Sequence, residues 1–276
     1  MSIICWEIEA HRFVRQMESG RTRPVLCACN GCCIETELST GNRLSASSIE
    51  DEFIVKICGC EDMTTRARLC EYVAAIFGQA MSVSIVEPAI VTIPPALVSA
   101  FPPEKQSALG KQPCQQYGCK HLGPGWIPYV DGKVLESDLV EPALGIYIFD
   151  VLIQNPDRRR ANPNVLTNGT EVRAYDHDMA FSFLLPVFGE KWEPWQVRQL
   201  EFLKQHIFFN SLKGKKLDIE PYIERIRALD GDIMSTLRAI VPLKWVTDDL
   251  DKIVDHIFAI RQHAGKFADE IIEVLS

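Results

Sequence analysis

Residues 139–153 form an almost unbroken apolar run that stops abruptly at Gln154-Asn155-Pro156-Asp157, and this break constrains the chain more than any other feature. Proline inside a helix removes a hydrogen bond and clashes with the preceding turn, so a buried helix over 139–153 must end there. Asn162 follows Asp157 by five positions. Asn164-Val165-Leu166 then leads into Asn168-Gly169, a strong hairpin signal, and the returning Val172-Arg173-Ala174-Tyr175 ends at Asp176. The sequence therefore predicts a buried helix, a polar loop, and two short strands over 163–168 and 171–176 that carry Asp176 back beside Asn162.

An Asp followed five positions later by an Asn is half of a loop pattern used in phosphoryl transfer, where a carboxylate orients or deprotonates the acceptor hydroxyl. Asn162 and Asp176 offer oxygen ligands that can share one magnesium ion. Taken singly, each residue has a plainer reading: Asp157 as a turn cap, Asn162 as the loop residue before Pro163, Asp176 as a strand end. All three together, with the helix in front and the hairpin between, favour chemistry.

The half of the chain before this helix reads as strands with one helix. Arg23 to Cys29 is a short apolar run, with Gly31 and Gly41-Asn42 as turns around it, and Phe53-Ile54-Val55-Lys56-Ile57 is a β-branched run ended by Gly59. Thr64 to Ala80 has helical periodicity, with Leu69, Val73, Ile76 and Phe77 on one face and Asp62 or Thr64 as N-cap. Ala89 to Ile93 is a further strand, 95–116 a short helix and loop, and Tyr117 to Trp126 a glycine-rich hinge. From Trp195 onward the pattern is helical. The expected fold class is α+β and bilobal: a β-rich N-terminal lobe with one helix over 1–122, and a mainly helical lobe over 123–276.

Lys56 sits inside an apolar strand, where an unpaired ammonium is costly to bury. Either its head reaches water at a sheet edge, or Glu71 on the next helix pairs with it and holds it toward a phosphate. Ser19-Gly20-Arg21-Thr22-Arg23-Pro24 is the candidate phosphate-facing loop, with amides and the Ser19, Arg21 and Thr22 side chains as donors. A plain exposed turn fits the same residues, which lack a G-x-G-x-x-G spacing.

The remaining composition narrows the class. With 276 residues, 47% of them hydrophobic, the chain can bury a sizeable core. A formal net charge of -8 argues against a general nucleic-acid binder. Glu7 and Glu9 interrupt any signal-peptide pattern, and Ala143 to Ile153 is too short to span a bilayer, so a cytoplasmic protein without a membrane anchor is expected. All ten cysteines lie within the first 119 residues, and reduced, buried thiols are the expectation. Zinc is the alternative, from Cys27, Cys29 and Cys32 with Cys58-Gly59-Cys60, although no C-x-x-C pair repeats cleanly.

Gly20-Arg-Thr-Arg-Pro24, Phe53-Ile-Val-Lys56, Glu87-Pro-Ala-Ile-Val91, Asn155-Pro-Asp-Arg158 with Asn162, and Tyr175-Asp-His-Asp-Met-Ala-Phe181 resemble, in order and content, the HipA-like kinases. The resemblance runs from about residue 18 to residue 183. It implies a bilobal kinase-like fold and transfer of phosphate from ATP to a serine or threonine hydroxyl, with Mg2+ as cofactor. It further implies Asp157 as catalytic base, Asn162 and Asp176 as magnesium ligands, Lys56 on the ATP phosphates, and the Tyr117–Gly123 segment, Lys120 included, around the adenine. The acceptor would be a protein or small-molecule hydroxyl, and an antitoxin or regulatory protein is a further candidate partner. Two positions depart from the pattern: Arg159 and Ala161 stand where the family commonly has His and Gly, and Asp178 stands where an Asp-Phe-Gly segment has Gly. The competing readings are a nucleotide-binding protein without turnover and a zinc-stabilised interaction module.

Overall fold

The computed structural model describes residues 2–18, 20–60, 62–110, 115–130, 135–185 and 192–276; Ser19 and Cys114 lie outside them. Three long strands, β1 (Ser2–Gln16), β2 (Val25–Glu37) and β3 (Arg43–Lys56), form an antiparallel meander. The turn between β2 and β3 falls at Gly41-Asn42 as expected, closed by Glu37 N–H to the Asn42 carbonyl at 2.9 Å. Strand β4 (Pro88–Thr92) runs parallel to β1, and β5 (Gln115–Lys120) pairs with both β3 and β4, closing a five-stranded barrel in the order β1-β2-β3-β5-β4. Closure pairs the edges that an open sheet would expose.

Two glycines expected in turns lie inside strands. Gly31 is opposite Ile8 in the middle of β2, and a Cβ there would sit 2.3 Å from the Glu7 carbonyl oxygen. Gly118 lies in β5, where a Cβ would meet a Val91 methyl at 2.7 Å and the Ile54 carbonyl at 3.0 Å. In both cases the glycine serves a close backbone approach rather than a bend. The hinge expected over 117–126 accordingly begins as a strand, and the connector starts only at His121.

The barrel encloses its own core, with Trp6, Ile8, Val25, Phe53, Val55 and Val91 among its residues. Cys27, Cys29 and Cys33 belong to it. Alternation along β2 sends Cys32 to the opposite face from Cys29, so these two thiols cannot share one tetrahedral ion. Burial pushes the Cys27 thiol up to about 12, which keeps it neutral, as suits a small core hydrophobe. Cys58 and Cys60 lie in the turn beyond β3, against the Thr65 hydroxyl at 4.0 Å and the Glu104 carbonyl at 3.5 Å.

Helix α1 (Thr65–Ala80) is capped by Thr64, whose hydroxyl accepts from Ala67 N–H at 3.1 Å. Almost all of its residues are buried, because Leu69, Val73, Ile76 and Phe77 join a second, larger core. Helix α2 (Pro103–Leu109) adds Ala108 and Leu109 to the barrel core. The second core is built on α3 (Ser137–Leu152), the three-stranded sheet of β6 (Ile127–Pro128), β7 (Val165–Thr167) and β8 (Val172–Ala174), and the helices α4 (Phe209–Leu212), α5 (Glu220–Arg227), α6 (Gly231–Ile240), α7 (Asp248–Gln262) and α8 (Ala264–Leu275). The fold is thus α+β, β-rich first and helical after. No described helix is long and apolar enough to cross a membrane.

Candidate active site

Helix α3 ends where the sequence requires, and its last turn carries a charge. Asp150 is fully buried, and such a carboxylate persists only when bonded on several sides. It accepts from Asn155 Nδ2 at 3.0 Å, from Arg158 Nε, and from His206 Nε2 at 2.9 Å. Burial opposes its charge, but Arg158 and His206 win, holding it well below the usual carboxylate range. Arg158, itself 1% exposed, then donates through Nη1 to the carbonyls of Asn164 and of Tyr175, the latter at 2.9 Å. One guanidinium therefore ties the end of α3, the loop after it and the far end of the hairpin together.

Asp157 stands in this fastened loop. Its Oδ2 accepts from Asn162 Nδ2 at 2.6 Å and from Asn164 Nδ2 at 3.3 Å, while Arg159, half-exposed, lies 3.6 Å from Oδ1. Burial and then the Asp176 charge push the Asp157 carboxyl above its ordinary value, which makes it a stronger proton acceptor. The hairpin forms with Val165 opposite Ala174, and Tyr175 N–H bonds the Asn164 carbonyl at 3.0 Å. The strands are shorter than the expected 163–168 and 171–176, because Asn168 Oδ1 takes the Thr170 and Glu171 amides and widens the turn.

Beyond the hairpin, Asp176 meets the barrel. Lys56, the last residue of β3, donates to Asp176 Oδ1 at 2.7 Å and to Glu71 Oε1, and lies 3.6 Å from Asp178 Oδ2. Glu71 comes from α1, and its second oxygen accepts His177 N–H at 2.8 Å. Burial works against the Lys56 charge, but Asp176, Glu71 and Asp178 outweigh it and hold the ammonium protonated. One ammonium cannot balance three carboxylates. Burial raises Glu71 to about 7 and Asp178 to about 6, with Lys56 pulling both back, whereas Asp176, closest among the aspartates to Lys56, is lowered despite its burial. The ligand oxygens of Glu71, Asp176 and Asp178 lie within 4.8 Å of one another, a hard-oxygen donor set with surplus negative charge that suits Mg2+.

Backbone strain gathers here too. Gln154, Asn164, Asp176 and Phe181 all have positive φ, at 45°, 47°, 61° and 57°. Side chains with a Cβ rarely adopt this region, and they persist there when the surroundings over-determine them, as the Asp150–Arg158 network does.

Lys56, Glu71, Asp157, Asn162 and Asp176 are thus brought into one neighbourhood. Asn162 turns its amide to Asp157, and no described contact joins it to Asp176. The β1–β2 turn leads into β2 at Val25, opposite Val55, and no described contact joins it to the carboxylate cluster. Gly20 has φ +96°, and Thr22 is buried with its carbonyl accepting Lys105 Nζ at 3.1 Å. Lys120 lies in β5 with its amide on the Glu87 carbonyl and its ammonium 3.5 Å from Asp51 and 4.8 Å from the centre of the Trp6 ring. Its charge is engaged there, apart from the carboxylate cluster.

Residues 39–269 match the HipA-like kinase family. The chain belongs to the HipA-like kinase family. A solved structure, the Helicobacter pylori proinflammatory kinase CtkA, is 9% identical, with 95% of this chain and 96% of that one covered at a TM-score of 0.48. No curated protein matches the chain significantly. Within this HipA-like kinase, sequence reasoning passed over Asp150, Arg158 as anchor, Asn164 and His206. The available signal was Asp150 itself, a lone charge in an apolar helix that had to find partners.

Proposed function

We propose that this HipA-like kinase family member is an ATP-dependent phosphotransferase that moves the terminal phosphate to a hydroxyl, on a protein serine or threonine. The observation that carries the reading is the meeting of three carboxylates, Asp176, Asp178 and Glu71, around the single ammonium of Lys56, with Asp157 of the tightly fastened loop near enough for the Asp176 charge to act on it. Such an excess of negative charge is costly in a structural core and fits a site that receives a cation and a polyanion together.

Asp176 and Asn162 would hold magnesium, which when bound neutralises charge on the phosphates. Lys56, kept in place by Glu71, contacts the phosphate oxygens, and the β1–β2 turn with Gly20 and Thr22 covers them from the barrel side. Asp157 receives the proton of the acceptor hydroxyl as the oxygen attacks. Its raised pKa strengthens it for that role, and the Asn162 and Asn164 amides fix the oxygen that would otherwise rotate.

The test is Asp157→Asn. Loss of a general base lowers turnover about 100- to 10,000-fold, so phosphate transfer to the protein itself or to cellular proteins should fall in that range. Melting temperature and Mg2+–ATP affinity should hold. Transfer at the wild-type rate would remove Asp157 from the chemistry and the proposal with it.

A further inference from the structure

We propose that Asp178 turns the magnesium position into a divalent-cation site that fills without nucleotide, with Asp176 and Asp178 supplying the carboxylate oxygens. The inference rests on the reading of Asp176 as a metal ligand and extends it to a residue that stands where an Asp-Phe-Gly segment has glycine. Three observations carry it.

First, the oxygens of Glu71, Asp176 and Asp178 converge within 4.8 Å, the separation expected across an ion with metal–oxygen bonds of about 2.0–2.6 Å. Second, these carboxylates differ in what they have left to give. Glu71 spends one oxygen on Lys56 and the other on His177 N–H, and Asp176 spends Oδ1 on Lys56. Asp178 has Lys56 alone among the described residues, at 3.6 Å, and an ionised carboxylate offers about four lone-pair sites.

Third, the residue between the two aspartates points to a ligand independently. The His177 ring is 2% exposed and neither of its nitrogens has a hydrogen-bond partner, although its Nδ1 faces the cluster 3.9 Å from Glu71 Oε2. Buried imidazoles are ordinarily bonded. Magnesium keeps several waters when protein carboxylates bind it, and a ring nitrogen just outside the carboxylates is placed to bond one of them. A second carboxylate raises affinity because charge count is what tunes such sites. A cation here also balances the carboxylates that Lys56 alone cannot.

The experiment is a Mn2+ titration of the full-length, nucleotide-free protein, followed by electron paramagnetic resonance of the free ion and competed with Mg2+. Wild type should bind one Mn2+ without nucleotide. Asp178→Asn should weaken binding tenfold or more, Asp178→Glu should stay within a few-fold of wild type, and Asp176→Asn should weaken it as well. Unchanged Mn2+ affinity in Asp178→Asn overturns the inference, as does a wild type that takes Mn2+ only together with ATP. That second outcome leaves the proposed phosphotransfer standing, because the ion would then arrive on the nucleotide. An Asp176→Asn protein that binds Mn2+–ATP like wild type would instead strike the proposed function itself. Should Asp178→Asn not fold, the wild-type titration and Asp178→Glu decide the matter by themselves.

Discussion

The barrel interior is one core, and α1 belongs to a second that runs from the outer face of the barrel, at Ile3, Cys5, Ile90 and Tyr117, into the helical part. The barrel closes on itself through backbone pairing, so its interior is complete without α1. The helix instead packs on the outside of the barrel, where the Gln79 side chain bonds the Ile4 backbone in both directions at 2.6 Å, and it joins that face to the helical part, bringing Glu71 with it. Lys56 is a barrel residue and Glu71, in this sense, is not. Their ion pair is a joint across the seam, and Asp176, arriving from the hairpin, closes it on the same side. The site is thus held between the barrel interior and an outer core that the barrel shares with the helices, and each can be perturbed through its own residues.

The largest perturbation expected is in the barrel. Phe53 is fully buried there and edge-on to Trp6 at 5.9 Å, so Phe53→Ala should cost about 3–5 kcal/mol. Hydrogen exchange should show protection lost in β1–β5, while α1 amides keep pace with α3 and α7. If α1 loses protection together with the barrel strands, the two-core division is wrong.

Acid should act on the helical part. His256 is buried with Nε2 on the Leu152 carbonyl at 3.1 Å, its ring stacked on Phe183 at 4.0 Å and Nδ1 without a partner. Burial lowers its pKa from 6.5 to about 4. The unfolded chain takes the proton first, so its contribution is intact above pH 6.5 and declines as pH falls, at about 1.4 kcal/mol per unit and about 3 kcal/mol by pH 4. Glu71 and Asp178 run the other way. Their pKa values are raised, so their contribution is greatest in acid and is lost as pH rises from their ordinary values of 4.5 and 3.8 through about 7 and about 6. Melting temperatures between pH 6.5 and 4.5 should therefore fall less steeply in His256→Phe than in wild type, the remaining slope coming in part from His177, which burial lowers to about 3; parallel curves would exclude His256 as a contributor.

The smallest effect sharpens the seam. Thr64→Ala removes the α1 cap and should cost about 1 kcal/mol, read as a lower urea midpoint at an unchanged slope. A changed slope would mean that α1 unfolds on its own rather than with the second core.

Much of this was legible in sequence because it is local. The Thr64 cap, the end of α3 before Pro156 and the turn at Asn168-Gly169 each follow from the conformational limits of a few neighbouring residues, and they delivered Asp157, Asn162 and Asp176 to one region. Gly31 and Gly118 were misread for the same reason. A glycine that bends a chain and one that admits a neighbouring strand look alike until the neighbour is known.

The sequence by itself determined the kinds of element, the place where α3 must stop, and the residue types able to handle phosphate and metal, since these depend on backbone sterics and side-chain chemistry within a few positions. Tertiary structure alone decided that the strands close into a barrel, that α1 packs into the other core, that Asp150 fastens the loop through Arg158, and that Asp178 joins Glu71 and Asp176. Those outcomes hang on contacts between residues as far apart as Lys56 and Asp176, and no local rule fixes which of several buried charges will find which partner.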